Sequence, residues 1–176
     1  SGRVSASQRK KVYAKILNQI EQAIGKDKFV QYGNAFYFNR ELSKEEREVA
    51  TQIIKKAVGD LEGVSEALSV DEIVNLPPNK FNNRLKNMIH PIKSPDIYVL
   101  LKENWLWKRD YGSSHGSHYD YDSHVPLLIS KNNLVMKKDS SAVSTVDIPV
   151  TIAKILGVNY PLNVDGIPIE IDFFYK

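Results

Sequence analysis

Gly112-Ser113-Ser114-His115-Gly116-Ser117-His118-Tyr119-Asp120-Tyr121-Asp122-Ser123-His124-Val125-Pro126-Leu127-Leu128-Ile129 is the stretch that sets the reading of this 176-residue chain. Three of the four histidines fall in ten residues, interleaved with Asp120 and Asp122. The chain has no cysteine, and imidazole and carboxylate are the ligands that suit zinc where thiolate is lacking. Trp107 to His124, rich in Gly, Ser, His, Asp and Tyr, reads as a long loop, and long loops in compact domains usually carry function. The spacing matches no helix-borne pair of histidines four residues apart. The plain alternative is a solvated loop in which His118 and His124 hydrogen-bond to neighbours. Val125 to Ser130 then reads as a buried strand resuming the fold.

Downstream, a polar link from Lys131 to Ser141 precedes a helix capped by Asp147, with Ile148, Ile152, Ile155 and Leu156 on its apolar face and Gly157 as its stop. The tail, with Pro161, Gly166 and Pro168, reads as turns leading to a short edge strand. Upstream, Tyr13, Ile16, Leu17, Ile20 and Ile24 recur at helical spacing, between a capping box of Ser5 with Gln8 and the stop Gly25. Two β-prone runs, Phe29 to Gln31 and Ala35 to Phe38, flank Gly33-Asn34 and predict a hairpin. Ser43 and Glu46 form a second capping box before a helix carrying Val49, Ile53, Ile54, Ala57 and Val58, ended by Gly59. Val64 to Val70 reads as a strand and Asp71 as the cap of a short turn. Pro77-Pro78 then breaks the chain before a helix with Phe81, Leu85, Met88 and Ile89 inward. Ile97 to Leu101, apolar throughout, predicts a strand buried on both faces. Residues 3–101 therefore predict an α+β lobe of two layers, with a ferredoxin-like arrangement as the candidate topology. Residues 102–176 form the second region.

Composition bounds the function. Apolar residues at 42% and charged residues at 26% describe a chain able to bury a core. Apolar runs such as Val125 to Ile129 are too short to cross a bilayer. The net charge of +3, with both signs interspersed, leaves no nucleic-acid footprint, and Arg9 to Lys11 and Lys55-Lys56 read as solvated helix faces. Without cysteine, thiol catalysis and disulfide stapling are excluded. Ser1-Gly2-Arg3 is neither an initiator methionine nor a targeting segment.

The string from Gly112 to Ile129 resembles the C-terminal metal motif of the alkaline phosphatase superfamily, in the branch of periplasmic alkaline phosphatases and type I phosphodiesterase/nucleotide pyrophosphatases. There a His-Gly, a Tyr-Asp six residues on and a Val-Pro with an apolar strand recur in this order. Ser144 to Gly157, followed by Pro161 and Gly166, is similar to the family's closing "Asp-Ile-x-x-Thr-Leu…Leu-Gly…Pro…Gly". Tyr37-Phe38-Asn39-Arg40 and the strand from Asp96 to Lys102 are similar, more weakly, to the family's inserted lobe. The resemblance implies an alkaline-phosphatase-like α/β fold, of which residues 102–176 are the C-terminal part.

It implies further that His115 binds one of two catalytic zinc ions and that Gly116 lets the backbone pass close to the metal. Asp122, Val125 and Pro126 then shape the loop, and Asp120 or Asp122 meets the free nitrogen of His115. His118 stands where the family has proline, and Pro149 sits one place early; the first departure brings a second metal role for His118 into play. Trp105, Trp107, Tyr111, Tyr119 and Tyr121 flank the loop, as a wall for a leaving group or as ordinary packing. The family's hydroxyl nucleophile and its remaining ligands precede the equivalent of Ser1. The implied protein is thus the C-terminal portion of an exported, periplasmic enzyme that hydrolyses phosphate esters through a covalent phospho-enzyme, with no catalytic residue in this chain. Its partners are the substrate and the missing N-terminal half. The alternative is a free-standing binding module, for protein, nucleic acid or metal, without activity.

Overall fold

A computed structural model describes residues 2–107, 112–130 and 138–170, which fall into two compact units, Ser1–Val125 and Pro126–Lys176. In the first, helix α1 (Ala6–Ile24) buries Ile16 and Ile20 completely and ends at Gly25 (φ 95°). Ser5 sits at its N-cap, but the Ser5 hydroxyl pairs with that of Ser7, so the expected box with Gln8 does not form. Strands β2 (Phe29–Tyr32) and β3 (Ala35–Phe38) make the predicted hairpin, pairing Tyr32 with Ala35 around Gly33-Asn34. Helix α2 (Lys44–Gly59) starts on the expected capping box: Ser43 accepts from the Glu46 amide at 3.1 Å, and Glu46 accepts from the Ser43 amide at 2.8 Å. Its buried face is Ala50, Ile54, Ala57 and Val58, while Val49 is turned outward.

Strand β4 (Val64–Ser69) runs into helix α3 (Val70–Asn75), whose cap is a box of Ser69 with Glu72 rather than Asp71. Helix α4 (Lys80–Asn87) buries Leu85 only, leaving Phe81 and Met88 exposed. Strand β5 (Ile97–Leu101) completes an antiparallel sheet ordered β2-β3-β5-β4. Its side chains alternate. Ile97 and Val99 enter the core formed with α1 and α2, and Tyr98 and Leu100 pack with Leu68, Ile73 and Leu85 on the opposite face. Both faces of β5 are thus covered, as its apolar sequence predicts. The lobe has three layers rather than two, and its helices and sheet strands run α-β-β-α-β-α-α-β, so the α-β-β-α-β run of a ferredoxin-like β-α-β-β-α-β unit is present with the remaining strand, β5, at the end of the lobe instead of its start. Asp96 ties the layers: it accepts from the Phe38 amide at 2.7 Å and from Arg47 Nη1 at 2.8 Å.

A second, two-stranded sheet was not foreseen. Strand β1 (Gly2–Val4) and strand β6 (Trp105–Trp107) pair in parallel, with Val4 beside Trp107. The lobe therefore leaves and rejoins neighbouring strands of a parallel sheet. The Trp105 ring lies over Gly63 (φ 90°), where an added Cβ would stand 2.0 Å from it, so only glycine fits beneath the indole.

In the second unit, helix α6 (Asp147–Leu156), named after the short turn α5 (Asp120–Ser123), ends at Gly157 in the left-handed conformation. It buries Val150, Thr151 and Ala153, because residues 167–169 fold back on that side. The Thr151 hydroxyl accepts from the Ile169 amide at 2.8 Å, and Asp147 accepts from the Ile167 amide at 2.8 Å. Half of the expected inward face is correspondingly bare: Ile152 is 49% and Leu156 68% exposed, whereas Ile148 and Ile155 are half-buried. Asp147 opens the helix, but its carboxylate holds Ser144 and Ile167 rather than capping the helix's own amides. Residues 125–130 form no strand, and Leu128 is 89% exposed. No strand forms across residues 161–170; any edge strand beyond lies outside the described residues, as does Tyr111.

Candidate functional site

The loop carrying the histidines follows β6 and is braced at several points. Arg3 Nη2 donates to the Gly112 carbonyl at 2.7 Å, the Tyr119 hydroxyl to the Leu101 carbonyl at 3.1 Å, and the Asn104 amide to the Tyr121 hydroxyl at 3.2 Å. Gly112 (φ 90°) and Gly116 (φ 98°) take backbone conformations that side-chain-bearing residues rarely adopt. Between them His115 is held exposed on its turn. Asp122 Oδ2 accepts from the Ser117 amide at 2.8 Å, which closes the segment just after His115. The Asp122 carboxyl is held below the usual carboxylate range by the Ser117 side chain and amide, with a smaller contribution from the charge of His115.

The two aspartates have different company. Asp120 faces α4, with Lys80 Nζ at 2.7 Å and Arg84 Nη1 at 2.9 Å, and those cations hold its carboxyl low. Asp122 is turned to the Ser117 amide. His118 stacks on Tyr119 with ring centres 4.4 Å apart and meets the Phe81 ring edge-on at 6.2 Å. Burial lowers its pKa and favours the neutral ring. His124 lies at the end of the α5 turn, its amide donating to the Asp120 carbonyl at 2.7 Å. Among the described residues no three His, Asp or Glu side chains gather as a metal-binding group. What the described residues offer here is the exposed imidazole of His115 on a turn between two glycines of positive φ.

Beside the loop lies a cavity of about 550 Å³, walled by Tyr37, Tyr98, Trp105, Trp107, Tyr119 and Tyr121. His115 and Asp122 line it too. The lobe's contributions, Tyr37 and Tyr98, and the cations Lys80 and Arg84 were not singled out as site residues from sequence. The signal for the cations was present: they stand four apart on α4, on one helix face, where they can meet one aspartate.

No family model matches the chain. It is 28% identical over 150 residues to alkaline phosphatase PhoD of Zymomonas mobilis, a match covering 78% of this chain and 26% of that protein. It is 29% identical over 129 residues to a calcium-transporting ATPase of Myroides odoratus, covering 72% and 23%. The crystal structure of wild-type alkaline phosphatase PafA superposes with a TM-score of 0.72 at 22% identity, over 96% of this chain and 33% of that one. These similarities support an affiliation with the alkaline phosphatase superfamily. The α/β fold, with helices on a β-sheet, is that of the alkaline phosphatase PafA. The chain spans about a quarter of the length of the curated relatives it matches.

Proposed function

We propose that this chain is the C-terminal portion of a metal-dependent hydrolase of phosphate esters, and that it supplies one zinc ligand, His115. In this reading residues 3–101 are an inserted lobe and residues 102–176 complete the α/β domain. The observation that carries it is the place of His115: it sits on the loop beyond the carboxyl end of β6, a strand of a parallel pair. In open α/β sheets ligands bind outside the carboxyl ends of the parallel strands. Parallel sheets are covered on both faces by the rest of their domain, so the pair β1 and β6 calls for further strands and helices from elsewhere in a longer polypeptide.

The metal supplies charge stabilisation for phosphoryl transfer when bound. This chain's own residues orient and enclose. Gly116 gives the backbone its turn beside His115. In this reading Asp122, whose carboxylate already holds the Ser117 amide two residues after His115, accepts from the imidazole and fixes its ring, since Lys80 and Arg84 engage Asp120. The aromatic cavity takes the leaving group of the ester, and the nucleophile comes from the preceding part of the polypeptide. Among the described residues no helix is long and apolar enough to cross a membrane, and the affiliation favours an exported protein.

The test is the native polypeptide in its source cells, detected with an antibody against this chain and assayed for phosphate ester hydrolysis. A species much larger than 20.0 kDa, with activity lost to chelator, supports the reading. A species near 20.0 kDa without activity overturns it in favour of a binding module.

A further inference from the structure

We propose that Arg84, on the inserted lobe, is a positioning residue that holds the His115 loop in its working shape; the proposal rests on the function inferred above. Arg84 Nη1 donates to the His118 carbonyl at 2.8 Å and to Asp120 Oδ1 at 2.9 Å, so one guanidinium grips both the backbone and a side chain of the loop. Lys80 Nζ reaches the same carboxylate oxygen at 2.7 Å from one turn earlier on α4. Phe81, between the two cations in sequence, stands edge-on to the His118 ring, and the Arg84 guanidinium lies 5.9 Å from the Phe81 ring centre. Three consecutive loop residues, His118 to Asp120, are thus fixed to one face of α4.

The consequence reaches His115 because the loop between them is short and closed. The Ser117 amide is tied to Asp122, which spans the fixed residues and leaves His115 one peptide beyond the clamp at Gly116. With the clamp in place, the backbone at 117–122 has one arrangement, and the imidazole projects from a fixed base. Without it, the loop keeps the Tyr119 and Tyr121 hydroxyl contacts but loses its link to α4. An exposed ion pair alone contributes little, so the bond from a cation to a backbone carbonyl is the distinguishing part of this contact. In this account the lobe braces the ligand loop from behind.

The test uses the intact polypeptide with Arg84→Ala, Arg84→Lys, Asp120→Asn and His115→Ala. Hydrogen exchange of the amides at 114–124 is read beside that of β3 and β5, together with kcat and KM for p-nitrophenyl phosphate. Arg84→Ala should speed exchange in the loop, leave β3 and β5 protected, and lower kcat about 10–100-fold with little change in KM, the size of effect seen when a ligand's supporting partner is lost. Arg84→Lys should recover part of both, since it keeps the charge but not the planar fork. Asp120→Asn, which leaves α4 untouched, should loosen the same amides and so separates this role from damage to the lobe. Unchanged loop exchange in Arg84→Ala and Asp120→Asn, or an unchanged kcat, overturns the proposal. Unchanged activity in His115→Ala with a loosened loop in Arg84→Ala instead sinks the metal-ligand reading and leaves the clamp standing.

Discussion

Helices α2 and α6 are written in much the same way, each with apolar residues at helical spacing, and they end differently. On α2 the residues Ala50, Ile54, Ala57 and Val58 are buried against α1 and the sheet. On α6 the small face of Val150, Thr151 and Ala153 is buried, while Ile152 and Leu156 stay in solvent. Residues 125–130, the apolar run predicted as a strand, are exposed in the same way. The comparison teaches that apolar periodicity states that a face is to be covered without stating by what. In the lobe the cover lies within residues 2–101; for α6 and the apolar run we propose that it is the rest of a longer domain.

The largest effect should separate the lobe's histidine from the loop's. In the intact polypeptide His115→Ala should lower phosphatase activity by more than the roughly 100-fold upper range for a supporting partner, whereas His90→Ala, on a turn of the lobe, should change little. Equal losses in steady-state rates would break the division between lobe and loop. Next comes packing. Ile54→Ala should cost about 2–5 kcal/mol in urea unfolding of this chain, because Ile54 is fully buried, while Leu156→Ala should stay within about 0.5 kcal/mol. In the intact polypeptide Leu156→Ala should rise towards the buried-residue range. A Leu156 effect that is small in both settings would contradict the proposed cover.

Smaller effects sharpen the account of the lobe. Ser43→Ala removes the acceptor for the Glu46 amide and should lower stability by about 1 kcal/mol in the same titration. Glu46 also sets a pH dependence. The Ser43 amide, and then Lys28, hold its carboxyl below the ordinary value of 4.5. Its contribution is therefore present above about that pH and fades as pH falls through the lowered folded value. Unfolding midpoints followed from pH 7 towards pH 3 should drop less steeply in Glu46→Gln than in the wild type; parallel curves would remove Glu46 from the acid response.

Much of the lobe was legible because its signals are local. Gly33-Asn34 marks a two-residue turn, Ser43 with Glu46 marks a helix start, and the unbroken apolar run of β5 marks burial on two faces. What escaped depends on distant partners. β1 and β6 have three residues each and no periodicity to read, and their pairing joins residues about a hundred positions apart. The two-layer expectation failed because nothing local says that α3 and α4 pack on the face opposite α1 and α2. Phe81 reads as a core residue by spacing, yet it is 41% exposed and meets His118. In the candidate site, His115, Gly116 and Asp122 were named from sequence through the family resemblance, and the structure puts His115 and Asp122 on one cavity wall. Asp120 was named as their equal, but two cations on α4 occupy it, a contact between segments 36 positions apart.

The most direct test of the central claim is hydrolysis of p-nitrophenyl phosphate by this 176-residue chain alone, with and without added zinc. A chain that contributes one ligand and no nucleophile should give no turnover above the blank. Zinc-dependent turnover abolished by chelator would contradict the account, because a complete catalytic site would then lie within these residues.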